Sequence, residues 1–177
     1  MLLTVYHFTA EMDPKGVRAL WLEYLTWANA GLNEHFGINF PIHEMIEEDM
    51  RTIGKFLPPD GQLLLALADG QLAGVACMKR LTDDIAEIKR MYVRPEFRGL
   101  GVGRRLVAAL IHEARKMDAA TVRLDSARFM HAAHRLYRAA GFREIAPYDG
   151  SEIPPEFRHN WIFMELLLTD GADTTLT

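Results

Sequence analysis

Cysteine is almost missing from this chain: Cys77 is the only one in 177 residues. No intrachain disulfide can form, and no cysteine-based zinc site is available. An excess of positive charge is missing too. The balance of 20 Lys and Arg against 24 Asp and Glu leaves a formal charge of −4, whereas general nucleic-acid binders are strongly basic. No run approaches the roughly 20 consecutive apolar residues of a membrane-crossing helix. The opening MLLTVYHFTAEMD lacks the cationic start and long apolar stretch of a signal peptide. The expectation is a cytoplasmic protein with neither a nucleic-acid nor a membrane partner. Internal repeats and low-complexity runs are also absent.

What is present is the composition of a soluble globular protein, 49% apolar and 25% charged. The length suits one domain. Residues 1–168 read as that domain, and the remaining TDGADTTLT reads as a flexible tail.

Leu2 to Phe8, rich in β-branched and aromatic residues, predicts a first strand. Asp13 and Pro14 open a helix that should run to about Ala30, with Gly31 as its stop. Its apolar positions Val17, Leu20, Trp21, Tyr24, Leu25 and Ala28 recur at helical steps, so Trp21 and Tyr24 are expected in the core. Trp27 is a weaker candidate for facing a cleft. A second helical stretch, Pro41 to about Lys55, carries Glu44, Glu47, Glu48 and Asp49 on what reads as a solvated face. Strands follow at Gln62–Ala68, Leu72–Leu81 and Ile85–Val93, with Asp69-Gly70 as a hairpin turn. The rest reads as a helix from Gly101 to Lys116, a strand at Thr121–Asp125, a helix at Met130–Ala140 capped by Gly141, and strands at Phe142–Ala146 and Asn160–Leu168. The order β-α-α-β-β-β-α-β-α-β-β implies an α/β (α+β) fold, a mixed sheet covered by helices.

The stretch VRPEFRGLGVGRR, from Val93 to Arg105, carries the most chemistry. Pro95 ends a strand, and glycines at 99, 101 and 103 let several backbone N–H groups converge on one anion just where a helix begins. The partial positive charge of that helix N-terminus, with Arg98, Arg104 and Arg105 beside it, makes a diphosphate the natural guest. A P-loop is excluded, because no Lys-Ser or Lys-Thr follows the glycines. A dinucleotide fingerprint fails as well, since its last glycine would fall on Arg104.

Arg98-Gly-Leu-Gly101-Val-Gly103 resembles the Q/R-x-x-G-x-G/A loop of the GCN5-related N-acetyltransferases. The likeness extends over residues 3 to 168, with KRMYVRPEFRG before the loop and LYRAAGF after it. It implies a mostly antiparallel central sheet and transfer of an acetyl group from acetyl-CoA to an amine, either a small molecule or a protein amino group. It further implies that the backbone at Met91, Tyr92 and Val93 holds the pantetheine arm. The amides of Arg98, Gly99, Leu100, Gly101, Val102, Gly103 and Arg104 would cradle the pyrophosphate. Met130 stands where the family often has an asparagine that bonds the CoA arm, and Ser126 could replace part of that contact, with His134 as a further contact.

Amide formation from a thioester needs a neutral amine and a proton for the departing thiolate. Tyr137 lies in AHRLYRAAGF, which matches the family's A-x-x-L-Y-x-x-x-G-F, so the resemblance makes it the acid. Glu87 stands eleven positions ahead of Arg98, where the histone-acetylating branch has a base-like glutamate. Plain strand alternation puts Glu87 on one face with Ile85, Lys89, Met91 and Val93, an apolar setting that would raise its pKa. Pairing of Glu87 with Lys89 or an arginine on a solvated face is the competing role. His131 and His134 sit at helical spacing, but no further ligand accompanies them and no metal site is expected. His112 and Glu113 read as ordinary surface. A non-catalytic acyl-CoA sensor of the same fold is the alternative function. A homodimer is compatible with the sequence.

Overall fold

A computed structural model describes residues 1–168 of the chain; the expected flexible tail lies outside them. The elements are β1 (Leu3–His7), α1 (Lys15–Phe36), α2 (Ile42–Arg51), β2 (Gly61–Ala68), β3 (Gln71–Thr82), β4 (Ile85–Val93), α3 (Val102–Lys116), β5 (Thr121–Ala127), α4 (His131–Ala139), β6 (Arg143–Ile145) and β7 (Trp161–Leu167). Their order is the one expected. The strands form one sheet in the order β1-β2-β3-β4-β5-β7-β6. Every neighbouring pair is antiparallel except β4 and β5.

Each face of the sheet buries its own apolar cluster. Val17, Leu20, Trp21 and Leu25 of α1 pack with Ile46 of α2 and with Leu63, Leu65, Val75 and Cys77 of the sheet. On the opposite face Val102, Leu106, Val107 and Leu110 of α3 and Tyr137 of α4 cover Leu64, Ala76, Met78, Ile88, Val122 and Leu124. The alternation of β2 and β3 between these sets is the two-residue period of a strand buried on both sides.

Two helix ends differ from expectation. Gly31 does not stop α1, which runs on to Phe36 and ends at Gly37 in a left-handed conformation. Gly31 instead makes room: a Cβ there would lie 2.4 Å from the ring of Phe129 in the β5–α4 connection. The second helix ends at Arg51, and a short 3₁₀ turn, Ile53–Phe56, completes the stretch. At the start of α1 the N-cap is Pro14, not Asp13, and no side chain caps the helix; Asp13 Oδ1 accepts the Lys15 amide from one position further out.

Two features of the sheet create the site. Pairing of β4 with β5 covers only Ile85–Glu87 against Thr121–Arg123, after which the two strands separate. Further along β4 the register against β3 slips: Lys89 pairs with Cys77 but Tyr92 pairs with Val75. Two residues, Arg90 and Met91, thus oppose one, which is a β-bulge, and Arg90 adopts φ 51°.

Candidate active site

The bulge corrects the expected side-chain parity. Glu87 and Lys89 face the α1 side with their partners Lys79 and Cys77, and Tyr92 joins that face. Met91 and Val93 turn to the α3 side. Glu87 therefore does not share a face with them, because the extra residue inverts the alternation between 89 and 91.

Where β4 and β5 part, a cleft of about 850 Å³ opens, within the range of small-molecule sites. Its lining includes Met91, Tyr92, Val93, the whole run from Arg98 to Arg104, Ser126 and Tyr137. The structure thus brings together nearly all the residues that the sequence singled out for a cofactor. His134 is the exception. It is 2% exposed and does not line the cleft; its Nε2 lies 3.1 Å from Ser126 Oγ, so it holds a lining residue. Burial, followed by the charges of Arg138 and His131, pushes its pKa below the usual histidine value. Its ring stands 6.1 Å from that of His131 in an edge-on arrangement.

The loop between β4 and α3 has the form of an anion cradle. Gly99 and Gly101 adopt φ 76° and 85°, conformations that suit glycine alone. Among the described residues the amides of Gly99, Leu100 and Gly101 donate to no backbone carbonyl. The first amides of α3, from Val102 to Arg104, have no helical acceptor because the first intrahelical bond outside them runs from Arg105 to Gly101. One expectation fails here: the Arg98 amide is already bonded to Pro95 O at 3.1 Å, so the free donors begin at Gly99. The Arg98 side chain donates to Val93 O and lies 5.2 Å over the Trp27 ring, which closes that side of the cleft.

The unpaired edge of β4 leads from this cradle to Tyr137. That residue is 5% exposed, yet it lines the cleft, and its hydroxyl makes no hydrogen bond among the described residues. Burial foremost, then Tyr24 and Asp125, pushes its pKa up, so it stays protonated. The cradle, the free strand edge and the phenol fit a long thiol cofactor with a diphosphate at one end.

On the α1 side lies a network of charges. Lys89 Nζ is 3.2 Å from Asp125, 3.5 Å from Glu152 and 3.7 Å from Glu87. Burial pulls the Lys89 pKa down, but these three carboxylates outweigh it and hold it up. Arg90 pairs with Asp49 at 2.6 Å and with Glu152 at 3.6 Å. Burial would raise the pKa of Glu152, yet Lys89, Arg90 and Lys79 press it down to about 2. Asp49 is 3% exposed, so it does not belong to a solvated face as its neighbours do.

Glu87 departs most from expectation. It is fully buried, does not line the cleft, and its Oε1 accepts the Tyr148 hydroxyl at 2.9 Å. Its pKa is raised, as anticipated, by burial foremost. The surroundings, however, are charged and polar, and Lys89 stands between it and the cleft. Three residues were misjudged from the sequence, two at the site and one away from it. Tyr24 and Asp125 line the cleft, although helical spacing placed Tyr24 in the core and nothing singled out Asp125. Glu113 is buried against Lys116 and His7.

A mixed sheet that parts at its one parallel seam, with a glycine-lined anion cradle at a helix start and a phenol facing the gap, defines a protein that binds an acyl-CoA thioester and exposes it to an acceptor. The acetyltransferase (GNAT) family pattern matches residues 17–142, and the chain belongs to that family. It is an acetyl-CoA-dependent N-acetyltransferase. An uncharacterised N-acetyltransferase of Schizosaccharomyces pombe is 31% identical over 135 residues, 75% of this chain and 80% of that one. An IAA acetyltransferase of Azospirillum brasilense is 30% identical over 118 residues, 66% of this chain and 75% of that one. Among solved structures, the PaiA N-acetyltransferase of Thermoplasma acidophilum in complex with coenzyme A is 20% identical, covering 95% of this chain and 100% of that one at a TM-score of 0.71, which shows the shared fold.

Proposed function

We propose that the chain acetylates a primary amine by direct transfer, with the amine entering on the α1 side of the sheet and Tyr137 protonating the leaving thiolate from the α4 side. The observation that carries this reading is the seam between β4 and β5, with the Tyr137 phenol on one side and Tyr24, Lys89 and Asp125 on the other.

Acetyl-CoA supplies an activated acyl carbon. The chain's own residues hold it and manage protons. The amides from Gly99 to Arg104 receive the diphosphate, and the free edge of β4 from Met91 to Val93 receives the pantetheine as an added strand. Ser126, fixed by His134, borders the same arm. The acceptor nitrogen loses one proton to become neutral and a second as the C–N bond forms. The C–S bond breaks, and the sulfur takes a proton from Tyr137, which is reprotonated, directly or through water, by the second proton lost from the nitrogen. One proton is released per turnover.

Glu87, walled off behind Lys89, acts as a positioning residue and not as the direct base. Its carboxylate helps fix Lys89, and Lys89 in turn fixes Asp125. The alternative of a non-catalytic acyl-CoA sensor has no observation in its favour.

The test is thiol release from acetyl-CoA with a panel of amino acids, diamines and peptides with free N-termini. Turnover on at least one amine is expected, and Tyr137→Phe should lower kcat by about 10²-fold or more without weakening CoA binding. An unchanged kcat would remove Tyr137 from the reaction.

A further inference from the structure

We propose that Asp125 receives the ammonium group of the acceptor, so that the substrate is an amine that arrives as a cation; this rests on the reading of the cleft given above. Asp125 is the only carboxylate that lines the cleft among the described residues. It lies on β5 just past Arg123, the last residue paired with β4, and so borders the seam itself. Its neighbours Leu124 and Ser126 turn towards α3 and α4, so Asp125 projects to the opposite face, towards Lys89. Asp125 and Tyr137 therefore approach the seam from opposite faces, as an amine-side group and a thiolate-side group must.

The carboxylate is held by one oxygen and free at the other. Oδ2 accepts Lys89 Nζ at 3.2 Å and Ser151 Oγ at 3.3 Å. Oδ1 accepts no hydrogen bond among the described residues. A carboxylate fixed in this way presents a directed acceptor to a group with N–H donors. Lys89 does not repel such a guest as an isolated ammonium would, because it is shared among Asp125, Glu152 and Glu87. Tyr24 also lines the cleft on this side, and a cation can rest against an aromatic ring. Glu87 and Glu152 are not rivals for the role, since neither lines the cleft. Once bound, the ammonium passes one proton to the Asp125 carboxylate, directly or through water, which frees the nitrogen lone pair towards the seam.

Two synthetic thioethers test this without knowledge of the natural acceptor. S-(3-aminopropyl)-CoA carries an ammonium a short reach beyond the sulfur, and S-butyl-CoA has the same length without the charge. Both are titrated by calorimetry at neutral pH into the wild type and Asp125→Asn. The wild type should prefer the ammonium compound on the order of tenfold or more, as a charge-assisted hydrogen bond implies. Asp125→Asn should bind the two alike, with its S-butyl-CoA titration serving as the check that the variant is folded. No preference in the wild type, a result that needs no variant, overturns the proposal, as does a preference that survives in Asp125→Asn. Failure of the wild type to bind either thioether would instead overturn the cleft assignment on which the proposal stands.

Discussion

Glu87 and Asp125 both lie beside Lys89 on the α1 face of the sheet, yet only Asp125 reaches the cleft. The difference decides what each side chain can do. A general base must come within hydrogen-bond reach of the proton it takes, directly or through one water. Glu87 has its Oε1 engaged by Tyr148 and is fully buried. Replacing Glu87 by Gln should therefore cost less than about tenfold in kcat/KM, because Asp125 and Glu152 still hold Lys89. A direct base would cost about 10²-fold or more. Steady-state rates of the variant with any competent acceptor separate the two. Burial raises the Glu87 pKa without bringing its carboxyl to the cleft.

At the scale of elements, the bulge in β4 and Gly31 in α1 do the most to shape the site. Arg90 at φ 51° occupies a region that costs a non-glycine residue about 1–3 kcal/mol. Its ion pair with buried Asp49 is the local feature that holds it there. The strained bulge swings Met91 and Val93 towards α3 and leaves Lys89 on the acceptor side. Gly31 works differently, by letting α1 approach the β5–α4 connection. The Phe129 ring that rests on it also stacks with His35 and meets Trp27 edge-on, so it has little room to withdraw. Gly31→Val should destabilise the fold by about 1–3 kcal/mol through overpacking, although valine is the better helix former. Urea denaturation measures this, and an unchanged midpoint would show that the ring can move aside.

For the molecule as a whole, the α1–α2 cluster and the α3–α4 cluster lie on opposite faces, with the seam between β4 and β5 opening between them. His134 sits in the layer beneath that passage, and its protonation bears on global stability. Its folded pKa lies below its unfolded value of about 6.5. Below that value the unfolded chain binds the proton more readily, so stability from this group is present near neutrality and lost as pH falls. Glu87 contributes with the opposite sign, because a raised carboxylate pKa favours the folded state as pH falls. The comparison must therefore be made against a variant. Thermal midpoints of the wild type should fall more between pH 7 and pH 5 than those of His134→Gln. Parallel curves would mean that His134 is not the group responsible.

The order of elements and the anion loop were legible in the sequence because each depends on local chemistry, whereas Tyr137 was marked only by its resemblance to the family's motif. Turn residues punctuate strands, glycines permit particular torsions, and a helix start carries its own partial charge. The acceptor side was not legible. Arg90 and Met91 look like two ordinary strand residues, and only pairing with β3 shows that together they span one partner position, which reverses every side chain beyond them. Asp125 looked like the end of a short strand until the separation of β4 from β5 exposed it. Gly31 read as a helix stop because the Phe129 ring that needs its empty space lies almost a hundred residues away. The sequence alone thus determined the anion cradle at the start of α3, since its groups are contiguous in the chain. Only the tertiary structure decided which side chains line the α1 side of the cleft, because that depends on strand register and on contacts between distant segments.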